Sequence, residues 1–120
     1  MTTILIADDN PSNREIARLA LETAGYRILE AADGRQALEL ARAEAPTLLI
    51  LDIQMPVLDG YAVISELRRD QRFAATPAIA MTAFAMRGDQ DRALASGFTR
   101  YISKPVNLAT LRSTVRELLA

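Results

Sequence analysis

The chain contains no cysteine and no histidine. Without cysteine there is no disulfide framework, no thiol nucleophile and no cysteine-ligated metal centre. Without histidine there is no Ser-His-Asp or Cys-His catalysis, no His-ligated zinc and no phosphohistidine carried by this chain. Charge of one sign is scarce as well: 14 basic and 15 acidic residues are mixed along the sequence, for a formal net charge of -1. Such a balance offers neither a nucleic-acid stripe nor a polybasic membrane anchor. The apolar runs are too short to cross a bilayer, and the N-terminus lacks a basic region followed by a long apolar segment. The expectation is a cytoplasmic protein with no membrane insertion and no direct contact with nucleic acid. Its chemistry falls to carboxylates, hydroxyls, lysine and a hard cation.

With 120 residues, 50% of them hydrophobic, the sequence suits one compact domain over residues 1–120. TILIA (Thr3 to Ala7), RILEA (Arg27 to Ala31), LLIL (Leu48 to Leu51), AIAMT (Ala78 to Thr82) and TRYIS (Thr99 to Ser103) read as strands. LLIL has no polar alternation, which predicts burial on both faces. Between the strands the period changes to helical. Ser12 and Glu15 have capping-box spacing, followed by Ile16, Ala17, Leu19, Ala20 and Leu21 up to Gly25. Asp33 opens a second helix with Ala37, Leu38 and Ala41 on one face, ending at Pro46. Val63, Ile64 and Leu67 mark a third, and Leu108, Leu111, Val115 and Leu118 a fifth. The fourth, Met86 to Ser96, has few large apolar residues and an internal Gly88, so it should be the least stable element. Strict alternation predicts a doubly wound α/β fold: a parallel sheet with right-handed crossovers and helices on both faces. In such folds ligands sit at the carboxyl ends of the strands.

The sharp polar residues collect there. The first strand delivers Asp8 and Asp9, the third Asp52, the fourth Thr82, and the fifth Ser103 and Lys104. Singly, each has a plain explanation: a turn former, a pair of helix-capping acids, a turn hydroxyl, a surface charge. Together they do not. Two carboxylates about 4 Å apart repel by roughly 4 kcal/mol at an effective dielectric near 20, so positive charge is needed. An all-oxygen donor set suits Mg²⁺, with Mn²⁺ as the alternative, and Lys104 can reach a phosphoryl oxygen. The loop DDNPSNR contains neither GxGxxG nor GxxxxGK[ST], so it is not a nucleotide cradle. The economical chemistry makes Asp52 itself the nucleophile, forming an acyl phosphate.

These residues resemble a known set. The acid pair in LIADDN, the Asp in LLILDIQMPVLDG, the Thr in AMTAFA and the Lys-Pro of YISKPV are similar to the receiver domains of two-component response regulators, over essentially the whole chain. The resemblance implies a five-stranded sheet of order 2-1-3-4-5 with five helices. It implies phosphorylation of Asp52 by a phosphohistidine on a histidine kinase or histidine phosphotransfer protein. Mg²⁺ would be held by Asp9, Asp52 and the Gln54 carbonyl, with Asp8 acting through a metal-bound water. Lys104 would contact the phosphoryl group and the Thr82 hydroxyl would move toward it while Tyr101 turns inward, although Tyr101 also reads as a plain strand aromatic packing on the last helix. A cis peptide is implied before Pro105. Gln54 and Phe84 occupy positions that tune hydrolysis of the acyl phosphate, and Phe84 can limit water access or simply pack its loop. Arg87, Arg92, Tyr101 and Asn107 mark the face expected to meet a downstream protein target.

The domain would catalyse its own phosphorylation and dephosphorylation rather than act as an enzyme on other substrates. The last helical stripe runs to the end of the sequence without an output module, which suits a stand-alone receiver of the DivK type, monomeric or dimerising on phosphorylation. A receiver fragment of a hybrid histidine kinase or larger response regulator would look the same. An aspartyl-nucleophile Mg²⁺ phosphatase is disfavoured by Gln54, since such enzymes usually place a second acid there. A flavodoxin-like cofactor protein is disfavoured by the absence of a hydroxyl-rich loop. A scaffold that is never phosphorylated is disfavoured by the intact acid, Thr and Lys set.

Overall fold

The computed structural model describes residues 2–83 and 87–120. Strands β1 (Thr3–Ala7), β2 (Arg27–Ala31), β3 (Leu48–Asp52), β4 (Ala78–Thr82) and β5 (Arg100–Ser103) form one parallel sheet of order β2-β1-β3-β4-β5. Helices α1 (Pro11–Thr23), α2 (Gly34–Glu44), α3 (Gly60–Arg68), α4 (Asp89–Ser96) and α5 (Leu108–Leu119) follow the strands in turn, with a short 3₁₀ turn at Gln71–Phe73. Every residue of the three inner strands is buried, because their alternate side chains enter two separate cores. Ile4, Ile6, Leu48, Ile50 and Ile79 meet Ala17, Leu21, Leu111 and Val115 of α1 and α5. Leu5, Ala7, Leu49, Leu51 and Ala80 meet residues of α2, α3 and α4 on the opposite face. Two buried faces remove any reason for polar alternation in LLIL.

Helix starts differ from the sequence reading in two places. The first helix is capped by Asn10, whose side chain accepts from the Ser12 and Asn13 N–H groups, with Pro11 in the first turn. Ser12 is therefore inside the helix, and Glu15 faces Arg18 rather than closing a capping box. Asn followed by Pro is the stronger start signal, since proline's missing N–H costs nothing at the first helical position. Gly88 is not inside α4 but precedes it, as a left-handed cap with φ +88°. Ile16 and Leu19 lie outside the core, at 49% and 51% exposure, because the small Ala17 and Ala20 let α1 approach the sheet along the neighbouring stripe. Thr99 falls just before β5, exchanging hydrogen bonds with Ala78. Among the described residues no helix is long and apolar enough to cross a membrane.

Candidate active site

Three strands, β1, β3 and β5, deliver the acids and the lysine to one edge. β1 ends at Ala7, and the next residue, Asp8, remains tied to the sheet by its N–H to the Ala31 carbonyl at 3.1 Å. Asp52 closes β3, and the Ile53 N–H continues the pairing to Met81 at 2.9 Å. Lys104 follows β5, its N–H held by the Thr82 carbonyl at 2.7 Å. The Lys104–Pro105 peptide is cis. Asp8 and Asp52 are 4% and 6% exposed, yet both are charged groups, so each must be compensated.

Lys104 supplies the compensation. Its Nζ donates to Asp8 Oδ2 and to Asp52 Oδ2, each at 2.7 Å. The other oxygens accept backbone N–H groups, Asp8 Oδ1 from Asn10 and Asp52 Oδ1 from Gln54, each at 2.9 Å. Burial lifts the Asp52 carboxyl above its ordinary range, against the opposing pull of Lys104 and the Gln54 N–H. Burial also works against the Lys104 ammonium, but its bonds to Asp52 and Asp8 outweigh that and raise it overall. Asp9 is exposed and has no hydrogen-bond or ion-pair partner among the described residues.

Ligand oxygens of Asp8, Asp9 and Asp52 all lie within 4.8 Å of one another. They open onto a cleft of about 300 Å³ lined also by Asn10, Asn13, Gln54, Ala83 and Lys104. One ammonium cannot neutralise three carboxylates, and Asp9 stands free beside the buried pair. The donor set is all oxygen and fits a hard divalent cation.

A family model for the response regulator receiver domain matches residues 4–116. The chain belongs to this family. A polar-differentiation response regulator DivK of Brucella ovis is 37% identical over 117 residues, spanning 98% of this chain and 95% of that protein. The chemotaxis protein CheY4 of Vibrio cholerae superposes with a TM-score of 0.92 at 31% identity, with 98% of each chain covered. The receiver domain of sensor histidine kinase PA1611 from Pseudomonas aeruginosa superposes at 0.90 with 34% identity, over 98% of this chain and 97% of that one. That structure has a magnesium ion coordinated in its active-site cleft.

In this receiver, Thr82 is buried at the end of β4 and is not among the cleft's lining residues. Tyr101 is half-buried against the α2, α3 and α4 core, not on the last helix, and its buried hydroxyl has no hydrogen-bond partner among the described residues. Arg87 is exposed, whereas the Arg92 guanidinium lies 4.1 Å over the Tyr61 ring. Asn107 caps α5 by accepting from the Thr110 N–H at 3.1 Å. Phe84 lies outside the described residues. Sequence reasoning passed over Asn10 and Asn13, which the Asn-Pro start of α1 would have placed at the cleft.

Proposed function

We propose that this receiver is a phosphorylation-activated switch, in which Asp52 accepts a phosphoryl group from a phosphohistidine of a histidine kinase or histidine phosphotransfer protein. The supporting observation is the sharing of one lysine by Asp52 and Asp8 at the mouth of an acidic cleft. In the transfer, the N–P bond to the donor imidazole breaks as an O–P bond forms to an Asp52 oxygen. The donor ring, protonated on its other nitrogen, keeps the bonding electron pair and leaves as neutral imidazole. Burial strengthens Asp52 as a base and hence as a nucleophile. Lys104 can pass its ammonium from Asp52 Oδ2 to a phosphoryl oxygen, while the Asp8 bond keeps it in place. Mg²⁺, held by Asp9, Asp52 and the Gln54 carbonyl with Asp8 acting through a metal-bound water, would supply the charge that lets an acid-lined cleft accept a dianion.

The switch follows from the added charge of about 1.5 to 2 units beside Thr82 and Lys104. Thr82 and Lys104 are already joined through the backbone, so movement at one is felt at the other. Tyr101 is suited to two positions: its ring packs on the core, but a buried hydroxyl with no hydrogen-bond partner among the described residues costs about 1 to 3 kcal/mol. The output face is formed by Arg87, Arg92, Tyr101 and Asn107, and Arg92 must leave Tyr61 to engage a protein target. Gln54, exposed at the cleft, and Phe84 set the lifetime of the acyl phosphate.

Incubation with acetyl phosphate and Mg²⁺ tests the reading. The intact mass of the wild type should rise by one phosphoryl group and that of Asp52→Asn should not. An equal adduct on both proteins refutes it.

A further inference from the structure

We propose that Arg14 is a positioning residue for the cation site, holding the Asp8–Asp9 peptide in the orientation that brings the Asp9 carboxylate to the cleft. The inference rests on the reading of the acidic cleft as a Mg²⁺ site. Arg14 lies near the start of α1, and its side chain is only 17% exposed. Its Nη1 donates to the Asp8 carbonyl at 2.7 Å, six residues back along the chain. Its Nε faces Glu30 Oε1 of β2 at 3.5 Å, and the second Glu30 oxygen faces Arg18 Nε at 3.2 Å. The guanidinium is thus wedged between the turn after β1 and the edge strand.

The consequence falls on Asp9. Asp8 is tethered at every polar group: its N–H by Ala31, its carboxylate by Asn10 and Lys104, its carbonyl by Arg14. Asp9 has no such tether among the described residues, so its position is inherited from the peptide that joins it to Asp8. The Arg14 bond fixes the carbonyl of that peptide. Without it, the peptide plane can rotate and carry Asp9 away from Asp8 and Asp52.

Charge alone predicts the opposite effect. A guanidinium bonded at the rim of a cation site repels the cation, so if its charge were its only influence, removing it would tighten binding. The sign of the change therefore separates positioning from simple electrostatics.

The experiment is calorimetric titration of Mg²⁺ into the wild type, Arg14→Ala, Arg14→Lys and Glu30→Gln, with thermal unfolding followed without metal. Groups that orient metal ligands commonly alter affinity by ten- to a hundredfold. Arg14→Ala should weaken Mg²⁺ binding by about tenfold, the low end of that range, with Arg14→Lys between it and the wild type and Glu30→Gln weakened less. If Arg14→Ala proves poorly folded, the Arg14→Lys comparison carries the test. Unchanged or tighter binding in a folded Arg14 variant overturns the positioning role. Absence of Mg²⁺ binding by the wild type overturns the cation site itself, and the inference with it.

Discussion

Arg68 and Gly97 are joined by two hydrogen bonds, from Nε at 3.0 Å and Nη2 at 2.8 Å, to a single carbonyl. The same guanidinium donates from Nη1 to the Phe73 and Thr76 carbonyls, each at 2.6 Å. One side chain of α3 therefore ties down the C-terminal end of α4 and the approach to β4. The other end of α4 begins at Gly88, in the left-handed region at φ +88°. Arg68→Ala takes this donor from the Gly97 and Thr76 carbonyls, while Phe73 keeps the Thr76 N–H at 3.3 Å, and should lower stability by roughly 2 to 3 kcal/mol in urea unfolding. Arg68→Lys should recover little of the loss, because a point charge cannot reproduce the planar fork.

Gly60 lies against the backbone of Asp52, the proposed phosphoryl acceptor. A Cβ there would sit 2.7 Å from the Asp52 carbonyl oxygen and 2.8 Å from Ile53 Cα, and the Gly60 N–H donates to the Ile53 carbonyl at 2.9 Å. Neither neighbour is a flexible side chain that can swing aside. Gly60→Ala should cost about 1 to 3 kcal/mol, as overpacking does, and should also slow phosphorylation by acetyl phosphate. A fully stable variant with unchanged phosphorylation would show that the loop gives way freely.

Val57 has φ +71°, and the Leu58 N–H bonds back to the Pro56 carbonyl at 2.9 Å, closing a three-residue turn. A β-branched residue is strained in this region, and at 69% exposure its side chain gains little packing in return. Val57→Gly should therefore raise stability by about 1 kcal/mol, net of glycine's extra chain entropy, with Val57→Asn also stabilising. A shifted urea midpoint at unchanged slope is the readout.

The inner strands were legible because their burial is written in apolar runs, and Asp52 stands out because it closes one, whereas Lys104 follows the mixed edge strand RYIS. The Asn10 cap was legible in principle, in the Asn-Pro pair, but Ser12 and Glu15 offered a competing pattern. The exposure of Ile16 and Leu19 was not legible, because helical period alone cannot say which of two adjacent stripes faces the sheet when one is built of alanine. Arg14 and Arg68 were not legible at all. Each acts on backbone carbonyls, which carry no sequence signature, and Arg68 reaches a residue 29 positions away.

Asp9 is the acid whose loss should affect the cation without disturbing the fold, since it is exposed and has no partner among the described residues. Mg²⁺ at a hundredfold excess over its dissociation constant should stabilise the wild type by about 2.7 kcal/mol. Asp9→Asn should lose that gain while unfolding like the wild type in metal-free buffer. Equal Mg²⁺ stabilisation of both proteins would remove Asp9 from the site.

The most direct measurement locates the phosphoryl group. After reaction with acetyl phosphate and Mg²⁺, borohydride reduction converts an acyl phosphate into a stable alcohol that tandem mass spectrometry assigns to one residue. Modification is expected at Asp52 alone and is lost in Asp52→Asn. Modification at Asp8, at Asp9 or at a hydroxyl, with Asp52 untouched, would contradict that expectation.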